Sequence, residues 1–121
     1  TVSRPALRSA HRNETGGLSG RPLRPLATQT MARFFLMSSG KIPLIGVGGI
    51  EDAASAFEKI LAGALLLQVY SALVYRGPAL IRHVVDGLPK LLSARGFSSL
   101  AAARGADAAL LATTRDPADK T

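Results

Sequence analysis

The sequence predicts an α/β fold whose strands run parallel. Three observations carry that reading. Two short apolar runs, residues 43–47 ("PLIGV") and 64–70 ("ALLLQVY"), lack in–out alternation, the mark of strands covered on both faces in a parallel sheet or barrel. The stretch between them has helical periodicity, so strand, helix and strand follow one another within about 30 residues, the βαβ unit. Gly46, Gly48 and Gly49 close the first run and Gly63 precedes the second, the punctuation expected of tight connections.

Each element then follows in order. Residues 1–25 read as loop, because Pro5, Gly16, Gly17, Gly20, Pro22 and Pro25 interrupt any longer element. Residues 26–39 read as a helix with Met31, Phe34, Phe35 and Ser38 on one side and Gly40 as its left-handed stop. The first strand, 43–47, is expected to be buried on both faces. The next helix begins near Glu51 or Asp52, whose acidity suits the positive helix N-terminus. Ala53, Phe57, Ile60 and Leu61 form its inner stripe, while Ser55, Glu58 and Lys59 are expected to face water. After the 64–70 strand, residues 71–75 form a short helix or turn.

Gly77 and Pro78 open a longer helix with Leu80, Ile81, Val84, Val85 and Leu88 inward. Pro89 is expected to break or kink it near Gly87. A last short helix is read at 99–104. In outline, residues 1–25 are a Gly/Pro-rich loop segment, 26–105 hold the strands and helices with a phosphate site, and 106–121 form a flexible tail.

Composition narrows the function. The chain has 121 residues, 47% of them hydrophobic, enough for a packed core in one small domain or a piece of a larger one. It has no cysteine, which excludes a disulfide framework and thiolate metal sites and fits a reducing compartment. No apolar run reaches the ~20 residues of a spanning helix. The start, "TVSRPALRSAHR", has charges but no apolar core after them, so no signal peptide is read; without an initiator Met it reads as a fragment or processed product.

The net charge of +7 owes much to Arg4, Arg8, Arg12, Arg21 and Arg24, opposed early only by Glu14. Aromatics make up 5%, few stacking platforms for bases, and these arginines lack helical spacing. The basic segment therefore reads as a solvated face, not a nucleic-acid site.

Chemistry is sought first at the glycines. In a (β/α)8 barrel, phosphate commonly sits between the loops after the last two strands and a helix N-terminus. Strand, Gly48 and Gly49, helix, strand, then Tyr70 and Ser71 at a helical turn supply those parts in order. Bare glycine lets an anion approach peptide N–H groups, and Ser71 adds a hydroxyl donor. The same glycines also suffice for a sharp turn, and the sequence leaves both readings open. "ETGGLSGRPL", with Gly16, Gly17 and Gly20, is a second glycine cluster, again turn or ligand loop.

His11 and His83 have no second ligand at metal spacing, so no metal site is read. Glu51 and Asp52 read as dipole partners, and Tyr75 with Arg76 as a packed ring beside a surface charge. No catalytic Ser/His/Asp or Cys/His arrangement stands out.

"ETGGLSGRPL", "IPLIGVGGIEDAASAFEKILAGA", "LLLQVYSALVYRGPALI" and the late "GFSSLAAARGADA" keep an order and spacing that resemble the C-terminal part of class 2 dihydroorotate dehydrogenases. These are quinone-linked, FMN-containing enzymes of pyrimidine synthesis. The resemblance implies the last two parallel strands and closing helices of a (β/α)8 TIM barrel, incomplete in this chain, with FMN contacts at Gly20, Gly49, Tyr70 and Ser71.

It further implies that dihydroorotate and ubiquinone are partners of the full enzyme, at the inner membrane. The serine base, the flavin-contacting lysine, the Asn-Thr pair and the membrane-contacting N-terminal helices are expected outside this chain, which is expected to be inactive alone. Leu65 departs from the small polar residue usual after "AGA". A stand-alone module that binds FMN or another phosphorylated ligand is the alternative.

Overall fold

Two parallel strands, β1 (Leu44–Val47) and β2 (Ala64–Gln68), form the sheet in the computed structural model, which describes residues 10 and 12–113. Arg4, Arg8, His11 and residues 114–121 lie outside the described residues. The strands pair Leu44 with Ala64, Ile45 with Leu66, Gly46 with Leu67 and Val47 with Gln68. Leu65 falls in the register irregularity, so the pairing shifts by one residue there.

One expectation fails at the sheet. Gly46 and Leu67 face the covered side, but Ile45, Val47, Leu66 and Gln68 are exposed. The alternation of burial is real. The sequence lacks it because the open face is apolar too.

The helices are α1 (Arg24–Met37), α2 (Ala53–Leu61), α3 (Ser71–Arg76), α4 (Ala79–Ala94), α5 (Leu100–Ala103) and α6 (Ala108–Thr113). A 3-10 turn at Arg21–Leu23 leads into α1 within the segment read as loop, and Pro25 sits in the first turn of α1. Met31 is buried, but Phe34 is exposed and Phe35 only half-buried. At its end the Gly40 N–H donates to the Phe35 carbonyl at 2.9 Å. Phe35 fills the space that side chains at Gly40, Gly63 and Gly105 would need, and the Arg104 guanidinium lies 5.2 Å from its ring centroid.

In α2, Phe57, Ile60 and Leu61 are buried as the periodicity predicts. Two of the three residues expected in water are not there: Ser55 and Lys59 are buried, 1% and 0% exposed, while Glu58 is half-buried. The reason is that α2 packs on α4 and the sheet on one side and against α1 on another. A single apolar stripe describes only the first of these contacts.

Pro89 neither breaks nor ends α4, which runs through it as one 16-residue helix. Leu80, Val84 and Leu88 are buried, and Leu91 and Leu92 pack on the same core, so both halves are anchored around the proline. Ile81 and Val85 are exposed instead of inward. Gly87 serves close packing: a Cβ there would lie 2.4 Å from Ala53 Cβ.

Part of the predicted tail is structured as well. Ala108 and Ala112 of α6 are buried in a second core with Met31 and Ala32 of α1, and Arg33 Nε donates to the Ala112 carbonyl at 3.2 Å. Alanines small enough for close helix contact account for this order.

Candidate functional site

A cavity of about 610 Å³ opens at the C-terminal ends of both strands. It is walled by three turns far apart in sequence: Ser19 to Leu23 ahead of α1, Val47 to Glu51 between β1 and α2, and Gln68 to Ala72 between β2 and α3. Gly20, Gly49, Tyr70 and Ser71, the four residues singled out from the sequence, all line it. Gly16 and Gly17 are exposed and do not.

The glycines at the end of β1 have two jobs. Gly48 has φ 93° and Gly49 φ 74°, both left-handed. A Cβ on Gly49 would lie 2.4 Å from Arg24 Cβ and 2.8 Å from Arg24 Cα; one on Gly48 would lie 3.0 Å from Leu23 Cδ2. Bare backbone here first lets the start of α1 rest on the turn. That contact brings the Gly20 turn to the same rim as Gly49. At Gly20, φ 75° with ψ −158° is glycine-only backbone, and nothing lies within 4 Å of an added Cβ.

The charges at the rim were not legible as a site. Arg21 and Glu51 pair across two of the turns, Nε to Oε1 at 2.8 Å and Nη2 to Oε2 at 2.9 Å, a two-point ion pair. Each directly follows, or lies two residues beyond, a predicted site glycine, and their opposite signs were the available signal. Arg76 and Tyr75 also line the cavity, and Tyr75 is 87% exposed, not the packed ring expected.

Asp52 caps α2. Its carboxylate accepts from the Ser55 N–H at 2.7 Å and the Ser55 hydroxyl at 2.6 Å, and Ser55 Oγ accepts from the Asp52 N–H at 3.1 Å. Burial pushes the Asp52 carboxyl up, but the Ser55 donors, with Arg24 and Arg76, outweigh it and hold the group below its ordinary 3.8.

Behind the rim lies a buried polar cluster that the sequence reading missed. Lys59 Nζ donates to Thr28 Oγ1 at 2.6 Å and to the Arg24 carbonyl at 3.3 Å, and the Thr28 hydroxyl donates to Glu58 Oε1 at 2.9 Å. Burial pushes the Lys59 ammonium down to about 8 from 10.5; Glu58 opposes the shift and Arg24 adds to it.

Around the cavity stand the backbone of three turns, the hydroxyl-bearing Ser19, Tyr70, Ser71 and Tyr75, and the guanidinium-bearing Arg21 and Arg76. Backbone N–H, hydroxyl and guanidinium groups are donors of the kind that suit an anion such as phosphate. Among the described residues no group of His, Cys, Asp and Glu is arranged to hold a metal, and no helix is long and apolar enough to cross a membrane. His83 lies exposed on α4.

The profile of a family described as Dihydroorotate dehydrogenase matches residues 1–92. The chain is 52% identical to a dihydroorotate dehydrogenase (quinone) of Novosphingobium aromaticivorans, covering 88% of this chain and 31% of the relative. It is 54% identical to the protein of that name from Rhodospirillum rubrum, covering 88% and 29%. The mitochondrial protein of Mus musculus is 50% identical, covering 88% and 27%.

A crystal structure of DHODH in complex with ferulenol from Eimeria tenella superposes with a TM-score of 0.82 at 41% identity, over 88% of this chain and 29% of that one. The chain thus spans under a third of the length of these relatives.

Proposed function

The chain belongs to the dihydroorotate dehydrogenase family, and we propose that it supplies the flavin phosphate rim of a quinone-linked enzyme that oxidises dihydroorotate to orotate through FMN. The observation that carries this reading is the convergence of Gly20, Gly49, Tyr70 and Ser71, from three turns, on one cavity. Phosphate would be held by the peptide N–H groups of these turns and by the Ser71 hydroxyl, with Arg76 and the Glu51-paired Arg21 supplying positive charge. When bound, FMN supplies the two-electron redox chemistry, and the chain's own residues bind and orient it.

The exposed apolar face of the sheet supports a further part of the proposal. Ile45, Val47 and Leu66 are exposed on the face opposite buried Gly46, with Ile45 and Val47 flanked by Leu26 and Phe34 of α1. In a closed (β/α)8 barrel the inward face of every strand packs against layers of side chains from other strands. We read β1 and β2 as the last two strands of such a barrel, the full enzyme being peripheral to the inner membrane and using ubiquinone.

The test is a fluorescence titration of FMN against the purified chain and its Ser71→Ala variant. Saturable binding, weakened about tenfold or more by loss of one hydrogen bond to a charged group, is the expected result. No saturable binding in the wild-type chain, or equal affinity in both, refutes the assignment. Gly49→Val is unsuited to this purpose, because Arg24 leaves no room for a side chain there.

A further inference from the structure

Lys59 is a cation with no solvent exposure, on a helix whose neighbours line the cavity, yet it does not itself line it. Its Nζ reaches across from α2 to α1, where Thr28 Oγ1 is 2.6 Å away and the Arg24 carbonyl 3.3 Å away. Thr28 is itself buried, and its hydroxyl proton is committed to Glu58 Oε1 at 2.9 Å. Arg24 Nε lies 3.8 Å from the other Glu58 oxygen, so the ends of α1 and α2 are tied by one network.

The residue held by Lys59 is the one that touches the cavity wall. The Arg24 backbone rests against Gly49, Leu23 rests against Gly48, and the Leu23 N–H donates to the Gly20 carbonyl at 3.1 Å. A contiguous path therefore runs from the ammonium to both glycine turns.

We propose that Lys59 is a positioning residue: by clamping the Arg24 carbonyl and Thr28 it sets the spacing between the Gly20 turn and the Gly48–Gly49 turn. Its consequence for ligand affinity rests on the phosphate-site reading above. An apolar side chain of the same length would fill the volume without desolvating a charge, and burial already pushes this ammonium down to about 8. What only the ammonium supplies is the hold on two oxygens of α1.

Amide hydrogen exchange on the purified chain tests this, with FMN titration beside it, for wild type, Lys59→Met and Thr28→Val. Lys59→Met is expected to speed exchange of the Leu23 amide by about tenfold or more, the loss of hydrogen bonds from a charged donor, and to weaken FMN binding by a similar factor. The Arg95 and Phe97 amides, bonded at the far end of α4 to Leu91 and Leu92, are expected to stay within about twofold. Thr28→Val should give the same local pattern at smaller amplitude, and it carries the test alone if Lys59→Met does not fold.

Unchanged exchange at Leu23, or acceleration spread equally to Arg95 and Phe97, overturns the proposal. A wild-type chain that ignores FMN removes the phosphate reading instead, and the exchange pattern still decides whether Lys59 sets the turns.

Discussion

Gly49 and Gly96 share a positive φ, 74° and 73°, in very different surroundings. Around Gly96, which follows α4, nothing lies within 4 Å of an added Cβ. At Gly49 the added carbon would meet Arg24 Cβ at 2.4 Å, Cα at 2.8 Å and N at 2.9 Å. Two of those three atoms are backbone, so α1 itself must move. Alanine at either position bears the left-handed cost of about 1–2 kcal/mol. Only at Gly49 does overpacking add about 1–3 kcal/mol.

Gly96→Ala is therefore expected to cost about 1–2 kcal/mol and Gly49→Ala about 2–5 kcal/mol. Urea unfolding of the two variants measures the difference as a shift in midpoint at constant slope. Equal destabilisation would refute the argument that Gly49 is bare because α1 presses on it, and would return the position to a simple turn.

Two further predictions follow from the buried lysine and from the family. Folded Lys59 titrates near 8 and unfolded lysine near 10.5, so the unfolded chain binds more protons between those values and stability rises with pH across that window. The span is about 3 kcal/mol at about 1.4 kcal/mol per pH unit, with Glu58 and Arg24 as the charges facing the ammonium. Urea midpoints at about pH 7.5 and pH 10 should therefore diverge more in wild type than in Lys59→Met; parallel behaviour of the two proteins would refute the buried cation.

The second prediction concerns catalysis. The 121 residues, assayed with dihydroorotate and a soluble ubiquinone analogue, are expected to give no turnover, since the resemblance puts the serine base outside them. Sustained quinone reduction by the purified chain would overturn that division of labour.

The strand–helix–strand core was legible because its signals are local. Apolar runs at 43–47 and 64–70 and the Phe57, Ile60, Leu61 stripe each need only their own neighbours in sequence to be read. Gly49, Tyr70 and Ser71 were legible as site residues for a related reason, since each sits at a turn that follows a strand; Gly20 was singled out only through the family resemblance. What escaped depends on which element lies against which. Lys59 and Ser55 look like water-facing positions until α1 is known to pack on α2 and Asp52 to cap it. Pro89 looks like a helix breaker until Leu88, Leu91 and Leu92 are seen to share one core with Leu80 and Val84.

Gly63 and Gly105 show the same limit. Nothing in their own surroundings in sequence reveals that both make room for the ring of Phe35.

The pair Gly48 and Gly49 posed a choice between a tight turn and a ligand cradle, and packing dissolves that choice. A side chain at 49 would run into the Arg24 backbone and displace the start of α1, while one at 48 would press only on the side chains of Leu23 and Ala27. The Gly20 turn enters α1 directly, so moving α1 moves the opposite wall of the cavity. The space that a ligand would occupy between Gly20 and Gly49 exists because the second position is filled by helix backbone, not by a side chain of its own. Glycine at 49 thus acts on the cavity through α1 as well as through its own N–H, whereas glycine at 20 has open space before it, where the proposed ligand could approach backbone directly. Substitutions along the rim should differ accordingly: those at 49 register in stability as well as affinity, and removal of the hydroxyl at 71 registers in affinity alone.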